Sequence, residues 1–279
     1  MYASGSTVYA ATNKGLSVST DGGTTFATRT SEDGLAASKV TGLFVSGATI
    51  YAATSDGLSI SVNSGASFSK VNGLSATGGV YANGNTICAW TSSGLITSSD
   101  GGKTFTTRTK DNGLGSIYGE AVFVSDGTIY AATSNAGLSI STDDGASFTT
   151  RTTEDGLGSN ETYGVVLVDH VLYVATWKGL SISTDGGKTF TTRTKDNGLA
   201  SDALRRVAVS GTTVYAGTWG NGVSISTDGG KTFVNNLSYT KDGMASDYVY
   251  GLYVDGTTVY TSAGFGGGGL SIGPTPAVR

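Results

Sequence analysis

A short apolar strand returns seven times along this chain at a nearly fixed interval, and that periodicity constrains the fold more than any other feature. The middle residues of the copies are Tyr9, Tyr51, Cys88, Tyr130, Tyr173, Tyr215 and Tyr260, giving steps of 42, 37, 42, 43, 42 and 45 residues. A second strand follows each, at 16–19, 58–61, 95–98, 138–141, 180–183, 223–226 and 270–272, alternating bulky apolar residues with Ser or Thr. Alternation with a period of two marks a strand with one face in a core. The hairpin before each second strand ends in glycine (Gly15, Gly57, Gly94, Gly137, Gly179, Gly222, Gly269), the residue that tolerates the positive φ of tight turns.

The second strand runs into the most specific motif, Ser-Thr-Asp-Gly-Gly-Thr-Thr-Phe at 19–26. It recurs with little change at 98–105, 183–190 and 226–233. The copy at 141–148 has Asp144 at the first glycine position, and the copy at 61–68 has Asn63 and Ser64 for Asp and Gly. The carboxylates of Asp21, Asp100, Asp143, Asp185 and Asp228 are placed to accept N–H bonds from their own turns, which makes each motif a self-contained hairpin. A strand with Arg29, Arg108, Arg151 or Arg193 follows the Phe. After it comes an Asp/Asn-Gly-Leu loop at 33–35, 112–114, 155–157 and 197–199, with Asp242, Gly243 and Met244 as a variant. An apolar strand then opens the next unit. Four strands and no helix in each unit describe a propeller blade.

The Asp-containing motif resembles the Asp-box, or BNR, repeat of sialidase-like and photosystem-assembly-type propellers, and the Asp-Gly-Leu loop resembles that of propellers in bacterial two-component sensors. The resemblance covers nearly the whole chain. It implies an all-β, seven-bladed β-propeller of four-stranded antiparallel blades, with the strand after the Asp-Gly-Leu loop (A) innermost. It also implies that the B–C hairpins and D–A loops share one face, and that the Asp boxes lie on the other. One domain spans 1–279, with blades at about 1–30, 31–72, 73–109, 110–152, 153–194, 195–240 and 241–279. Residues 1–3 align with 43–45, so the first blade keeps only the tail of its strand A, and the last stops after strand C. With both end blades incomplete, the ring is expected to close without the usual strand exchange, leaving an open strand edge on blade 7.

Composition narrows the function. Of 279 residues, 44 are Gly and only 2 are Pro, 38% are hydrophobic and 14% are charged, which suits short strands, tight turns and a sizeable core. The net charge of −4, and no basic cluster beyond Arg205 and Arg206, argue against nucleic acid as a partner. The single cysteine, Cys88, reads as a buried structural thiol. The hydroxyl-rich, Lys- and Glu-poor surface suggests an extracellular or cell-surface bacterial protein. No run approaches eighteen apolar residues, so no membrane span is expected, and the repeat starts directly after Met1, so no signal peptide is expected within these residues.

Catalysis needs unlike groups at one point, hence residues that break the repeat. Glu120, Arg205 and Tyr250 fall in one column at the start of strand A, with Thr41, Gly78 and Gly164 in other blades, and Arg206 is one place on. These residues would line the mouth of the channel. Sialidase-like chemistry would use a Tyr/Glu pair, but the arginine triad and the Phe-Arg-Ile-Pro motif of that family are absent. The arginines of strand D cannot converge at a ring centre. His170, the one histidine, lies in an A–B hairpin, which leaves no His triad and no multi-His zinc site. The Asp boxes lack the further oxygen donors of a calcium loop. No metal and no cofactor are therefore expected. Asn160, Asp202 and Asp247 share a loop column and read as backbone caps.

Aromatic side chains point instead to binding. Trp177 and Trp219 occupy equivalent B–C hairpins, Phe265 lies in the corresponding stretch of blade 7, and Tyr118, Tyr163, Tyr248 and Tyr250 fall on the same face. Such rings stack on sugars or on a partner's side chains. The reading is a monomeric, non-enzymatic binding or scaffold propeller for a protein or glycan, with Trp177, Trp219, Phe265, Glu120, Arg205, Arg206 and Tyr250 as candidate ligand-binding residues. A glycoside hydrolase with a site at the channel mouth is the alternative, and a sensor or repeat module of a larger surface protein is a third.

Overall fold

The computed structural model describes residues 1–74, 77–263 and 269–274. They form a seven-bladed β-propeller. Each blade is an antiparallel meander in sequence order, and among the described residues six blades have four strands and the last has three. The first strand of blade 1 is only Tyr2–Ser4, against seven residues in every other strand A. Tyr2 pairs with Tyr9 as Phe44 pairs with Tyr51, and Leu270–Pro274 pairs with Thr258–Ala263, so each terminal strand pairs within its own blade. The chain divides into two compact units, residues 1–133 with 139–150, and residues 134–138 with 151–279.

Within each unit the core lies between successive blades. In the first, Tyr9 and Leu16 of blade 1 pack with Val40, Ile50 and Phe68 of blade 2. In the second, Tyr173 and Leu180 of blade 5 pack with Leu204, Val214 and Phe233 of blade 6. Cys88 is fully buried beside Trp90 and Val122, and that burial raises its thiol pKa far above the ordinary value, which keeps it protonated and inert.

The Asp motifs are turns that satisfy themselves. In blade 5 the Ser183 hydroxyl donates to Asp185 Oδ1 (2.7 Å) and accepts the Gly187 N–H (2.8 Å), while Oδ1 also accepts the N–H groups of Lys188 and Thr189 (2.9 and 3.0 Å). The Thr189 hydroxyl completes the set on Oδ2 at 2.7 Å. These bonds, the Thr189 backbone N–H first, hold the Asp185 carboxyl well below the usual carboxylate range; equivalent donors lower Asp21 and Asp100, and the Ser147 hydroxyl and N–H with the Ser141 hydroxyl lower Asp143 to about 2. Asn63 keeps the pattern in neutral form, its amide nitrogen donating to Ser67 Oγ at 2.9 Å.

The Asp/Asn-Gly-Leu loops are not free of helix, as the repeat suggested. Each of the four regular copies holds one 3₁₀ turn, Ser31–Asp33, Lys110–Asn112, Thr153–Asp155 and Lys195–Asn197, closed by a capping box in which Thr30, Thr109, Thr152 or Thr194 is the N-cap. The variant copy forms a single α-helical turn, Tyr239–Asp242. The glycine after the 3₁₀ turn is left-handed, and within the second unit a Cβ on Gly156 or Gly198 would run into the carbonyl of Phe190 or Phe233, which precedes the outer strand of the blade that the loop leads into. The same loops bond to those phenylalanines, Phe190 N–H to Asp155 O (2.9 Å) and Phe233 N–H to Asn197 O (2.8 Å). Leu157 and Leu199 are buried just beyond. The motif is therefore a clamp between blades.

Backbone bonds also sort the loops into two ends. The Asp turns bond to the A–B hairpin of their own blade, as in Gly101 N–H to Asn85 O (2.9 Å) and Gly229 N–H to Thr212 O (3.0 Å). The B–C hairpins bond to the D–A loop that follows, as in Gly179 N–H to Asp202 O (2.7 Å) and Gly222 N–H to Asp247 O (2.9 Å).

Candidate functional site

At the loop end of the inner strands the A–B pairing slips by one residue, between Val40 and Gly42, Gly119 and Ala121, Thr162 and Gly164, Leu204 and Arg206, and Val249 and Gly251. Each slip is a β-bulge whose extra residue is re-aimed relative to the ladder. The extra residues are Thr41, Glu120, Tyr163, Arg205 and Tyr250. This corrects the sequence column in blade 5, which holds Tyr163 and not Gly164. Gly164 belongs to the next column with Gly42 and Gly79, where a Cβ would press on the backbone of the following inner strand. Arg206 stands in that column of small residues.

The second unit gathers an aromatic cluster around one bulge residue. The Arg205 guanidinium carbon lies 4.9 Å from the Trp219 ring, 4.9 Å from Tyr250 and 5.4 Å from Tyr163. Trp177 extends the cluster, 6.1 Å from both Tyr163 and Trp219, and Tyr248 meets Trp219 at 6.0 Å. The contacts are mostly edge-on or tilted, with interplanar angles of 59°, 64° and 84°. A guanidinium over ring faces gains about 0.5–1 kcal/mol per contact at exposed sites.

Local backbone fixes the rings. Thr176 and Thr218 bond their hydroxyls to Gly179 O and Gly222 O, closing the B–C hairpins, and the next residues, Trp177 and Trp219, donate their N–H groups to Glu161 O (3.0 Å) and Ala203 O (2.9 Å). An isolated bridge ties Trp219 to Tyr248. The Tyr163 hydroxyl donates to the Glu161 carboxylate at 3.0 Å. Arg206 bonds to backbone, its Nη1 donating to the carbonyls of Tyr163 and Arg205, both at 2.9 Å. It thereby fixes the two bulges that carry ring and guanidinium.

Of the sequence candidates, Trp177, Trp219, Arg205 and Tyr250 come together, Arg206 supports them from behind, and Phe265 lies outside the described residues. Glu120 is the half-buried bulge residue of Gly119–Ser125, in the first unit. Trp177 and Tyr248 remain 38% and 40% exposed, so the cluster presents ring surface outward. Trp90, by contrast, is buried and donates its indole N–H to Ala121 O at 3.0 Å. The sequence reading places Tyr163 on this face but does not pair it with Arg205. The one available signal was its position two residues after Glu161, matching Arg205 two residues after Ala203.

The loop-column residues and the histidine sit in turns. Asn160, Asp202 and Asp247 cap the D–A loops, accepting the N–H groups of Thr153 (2.9 Å), Lys195 (2.7 Å) and Tyr239 (2.7 Å). His170 is exposed in a left-handed turn at φ 66°. Among the described residues no three His, Cys, Asp or Glu side chains gather as a metal site would require, and no helix is long and apolar enough to cross a membrane.

No protein-family model matches the chain, and no curated protein matches its sequence. Solved structures do share its fold. The extracellular domain of the hybrid two-component system BT3049 from B. thetaiotaomicron aligns with a TM-score of 0.75 at 18% identity, covering 96% of this chain and 39% of that one. YCF48 bound to D1 peptide aligns with a TM-score of 0.68 at 14% identity, covering 91% of this chain and 86% of that one. An ancestral GH74 enzyme gives 0.70 at 18% identity, covering 92% of this chain and 42% of that one. The chain spans 36–39% of the length of the B. thetaiotaomicron domains it resembles. At these identities the likeness is one of fold.

Proposed function

We propose that this chain is a non-enzymatic binding propeller of the Asp-box type that docks a protein segment on the aromatic cluster around Arg205. The observation that carries the reading is the convergence of Tyr163, Trp219 and Tyr250 on one guanidinium, with Trp177 and Tyr248 half exposed beside it. Five aromatic residues and an arginine at one spot match the composition of interface hot spots. The edge-on rings make steps that suit side chains better than the flat face of a sugar chain. YCF48, a propeller of the same fold, is seen with a peptide bound, which supports the choice of partner. The extracellular domains of two-component systems among the similar structures support a place outside the cell or at its surface, and their greater length fits a module of a larger protein.

Peptide and glycan arrays probed with wild type, Trp177→Ala and Tyr248→Ala test the reading. Peptide hits lost in both variants are expected. Glycan hits lost in both would move the site to carbohydrate, and hits indifferent to both would remove it. A hydrolase would show itself on fluorogenic glycosides, with turnover abolished by Glu120→Gln or Arg205→Ala.

A further inference from the structure

The arginines of strand D repeat in sequence but not in what they bind. Arg29 and Arg151 face Asp33 and Asp155 four residues on, each at 3.6 Å. Arg151 also donates Nε to Gly187 O in the Asp turn of the next blade at 3.0 Å. Arg108 has Asn112 at the acidic position, and its Nε donates instead to Thr97 Oγ1 on strand C at 3.0 Å. Arg193 lacks all three acceptors. Asn197 replaces the acid and gives its Oδ1 to the Thr194 N–H at 3.0 Å, Ile182 stands where Thr97 does, and no bond reaches the Asp turn of blade 6. Its Nε is buried and has no hydrogen-bond partner among the described residues. A buried donor left unmatched is costly, and in a native protein it calls for a reason. Arg29 shares the unmatched Nε, but Asp33 neutralises its charge.

Beside Arg193 the groove between blades 5 and 6 opens into a cavity of ≈ 360 Å³, within the range of small-molecule sites, which run from about 300 Å³ upward. Val168, Val171, Ile182 and Val209 give it an apolar wall, and Arg193 and Lys231 bring two cations to its edge. Two carboxylates also reach the lining. Asp228 is committed to its own turn, accepting from Ser226 Oγ, the Lys231 and Thr232 N–H groups, and the Thr232 hydroxyl at 2.7–3.0 Å. Asp169 sits in an exposed left-handed turn at φ 47°. Neither forms an ion pair with Arg193 or Lys231 among the described residues.

We infer that this groove takes a small carboxylate with an apolar body, its charge on Arg193 and Lys231 and its body against Ile182 and Val209. Such a ligand supplies the counter-charge that Asp155 supplies to Arg151, and a charged pair of this kind is stronger than a neutral one. The site is on the Asp-turn end and independent of the aromatic cluster. The carboxylate can belong to a free acid or to the C-terminus of a peptide ending in an apolar residue.

Saturation-transfer NMR and calorimetry with 3-phenylpropionate and its amide test the inference, alongside a tetrapeptide ending in Phe as free acid and as C-terminal amide. The acids should bind saturably, the amides at least tenfold more weakly. Arg193→Gln should weaken the acids at least tenfold and Lys231→Ala several-fold, while Arg151→Gln leaves them unchanged. Preference for one acid over the other identifies the source. Equal binding of acid and amide, indifference to Arg193→Gln, or no saturable binding of either acid to the wild type would overturn the proposal. Thermal melting of each variant separates lost binding from lost folding, and Trp177→Ala should leave this site intact.

Discussion

At the Asp-turn end, five carboxylates spend their oxygens on donors within four residues, so each turn closes on itself. At the loop end the Asp/Asn-Gly-Leu segments do the opposite: leaving the outer strand of one blade, each accepts the N–H of the phenylalanine before the outer strand of the following blade and presses a glycine against its carbonyl. One end is local and the other is cooperative between blades. The off-pattern residues that touch one another, Tyr163, Arg205, Trp219 and Tyr250, all lie at the cooperative end. An asymmetric site needs neighbouring blades held in fixed relation, and that relation is built there.

The sharpest way to break this contrast is a pair of glycines. Gly186 in an Asp turn and Gly198 in a loop are both left-handed, at φ 77° and 91°. A Cβ on Gly186 meets nothing within 4 Å, whereas one on Gly198 runs into Phe233 O. Gly186→Ala should cost about 1–2 kcal/mol, the price of a left-handed L-residue. Gly198→Ala adds a displaced backbone and should cost about 3 kcal/mol or more. Urea denaturation of both decides it, and equal losses would mean that the loops do not clamp the blades.

Arg206→Ala is next. The side chain makes two bonds to bulge carbonyls, at 2.9 Å each, and hydrogen bonds to charged groups are worth roughly 1.5–3 kcal/mol. A loss of about 2 kcal/mol in urea denaturation is expected. A loss below about 0.5 kcal/mol, the scale of an ordinary surface change, would show the guanidinium solvated and the bulges self-supporting.

Acid should find the Asp-turn end first. Its carboxyls are held below the ordinary aspartate value of 3.8 in the folded chain by the donors of their own turns, so their contribution is present above that value and is lost as pH falls through their folded values. Melting temperature should drop between about pH 4 and pH 2. Asp185→Asn should lower it at pH 7 and flatten its acid dependence. An unchanged acid profile would show that these turns do not set the acid limit.

The propeller was legible because one 42-residue pattern, repeated, specifies strands, turns and blade count at once. The Asp turns were legible for the same reason that they are local: motif and hydrogen-bond partners lie within a few residues. The aromatic cluster was not. Its residues come from three blades, and their meeting depends on bulges that shift register by one place. Aligning the inner strands puts Gly164 where Tyr163 belongs, because the bulge between Thr162 and Gly164 is not visible in the sequence. Arg206 looked like a ligand-facing cation until its reach to Tyr163 O was visible, and Arg193 looked identical to Arg151 because its difference lies in the acceptors around it.

The smallest stability change should carry the largest functional one. Trp177 is 38% exposed and its ring meets those of Tyr163 and Trp219 at 6.1 Å, so Trp177→Ala should move folding stability by about 0.5–1.5 kcal/mol, the range of one aromatic pair. If the cluster is the docking site, the same change removes a central anchor, and affinity for an array-selected peptide should fall tenfold or more, equal to about 1.4 kcal/mol or above. Wild-type tryptophan fluorescence should respond to that peptide through Trp177 and Trp219, since Trp90 is buried in the other unit. A variant that keeps both affinity and fluorescence response would leave the rings as packing between blades, and the loop end would then be cooperative without being a site.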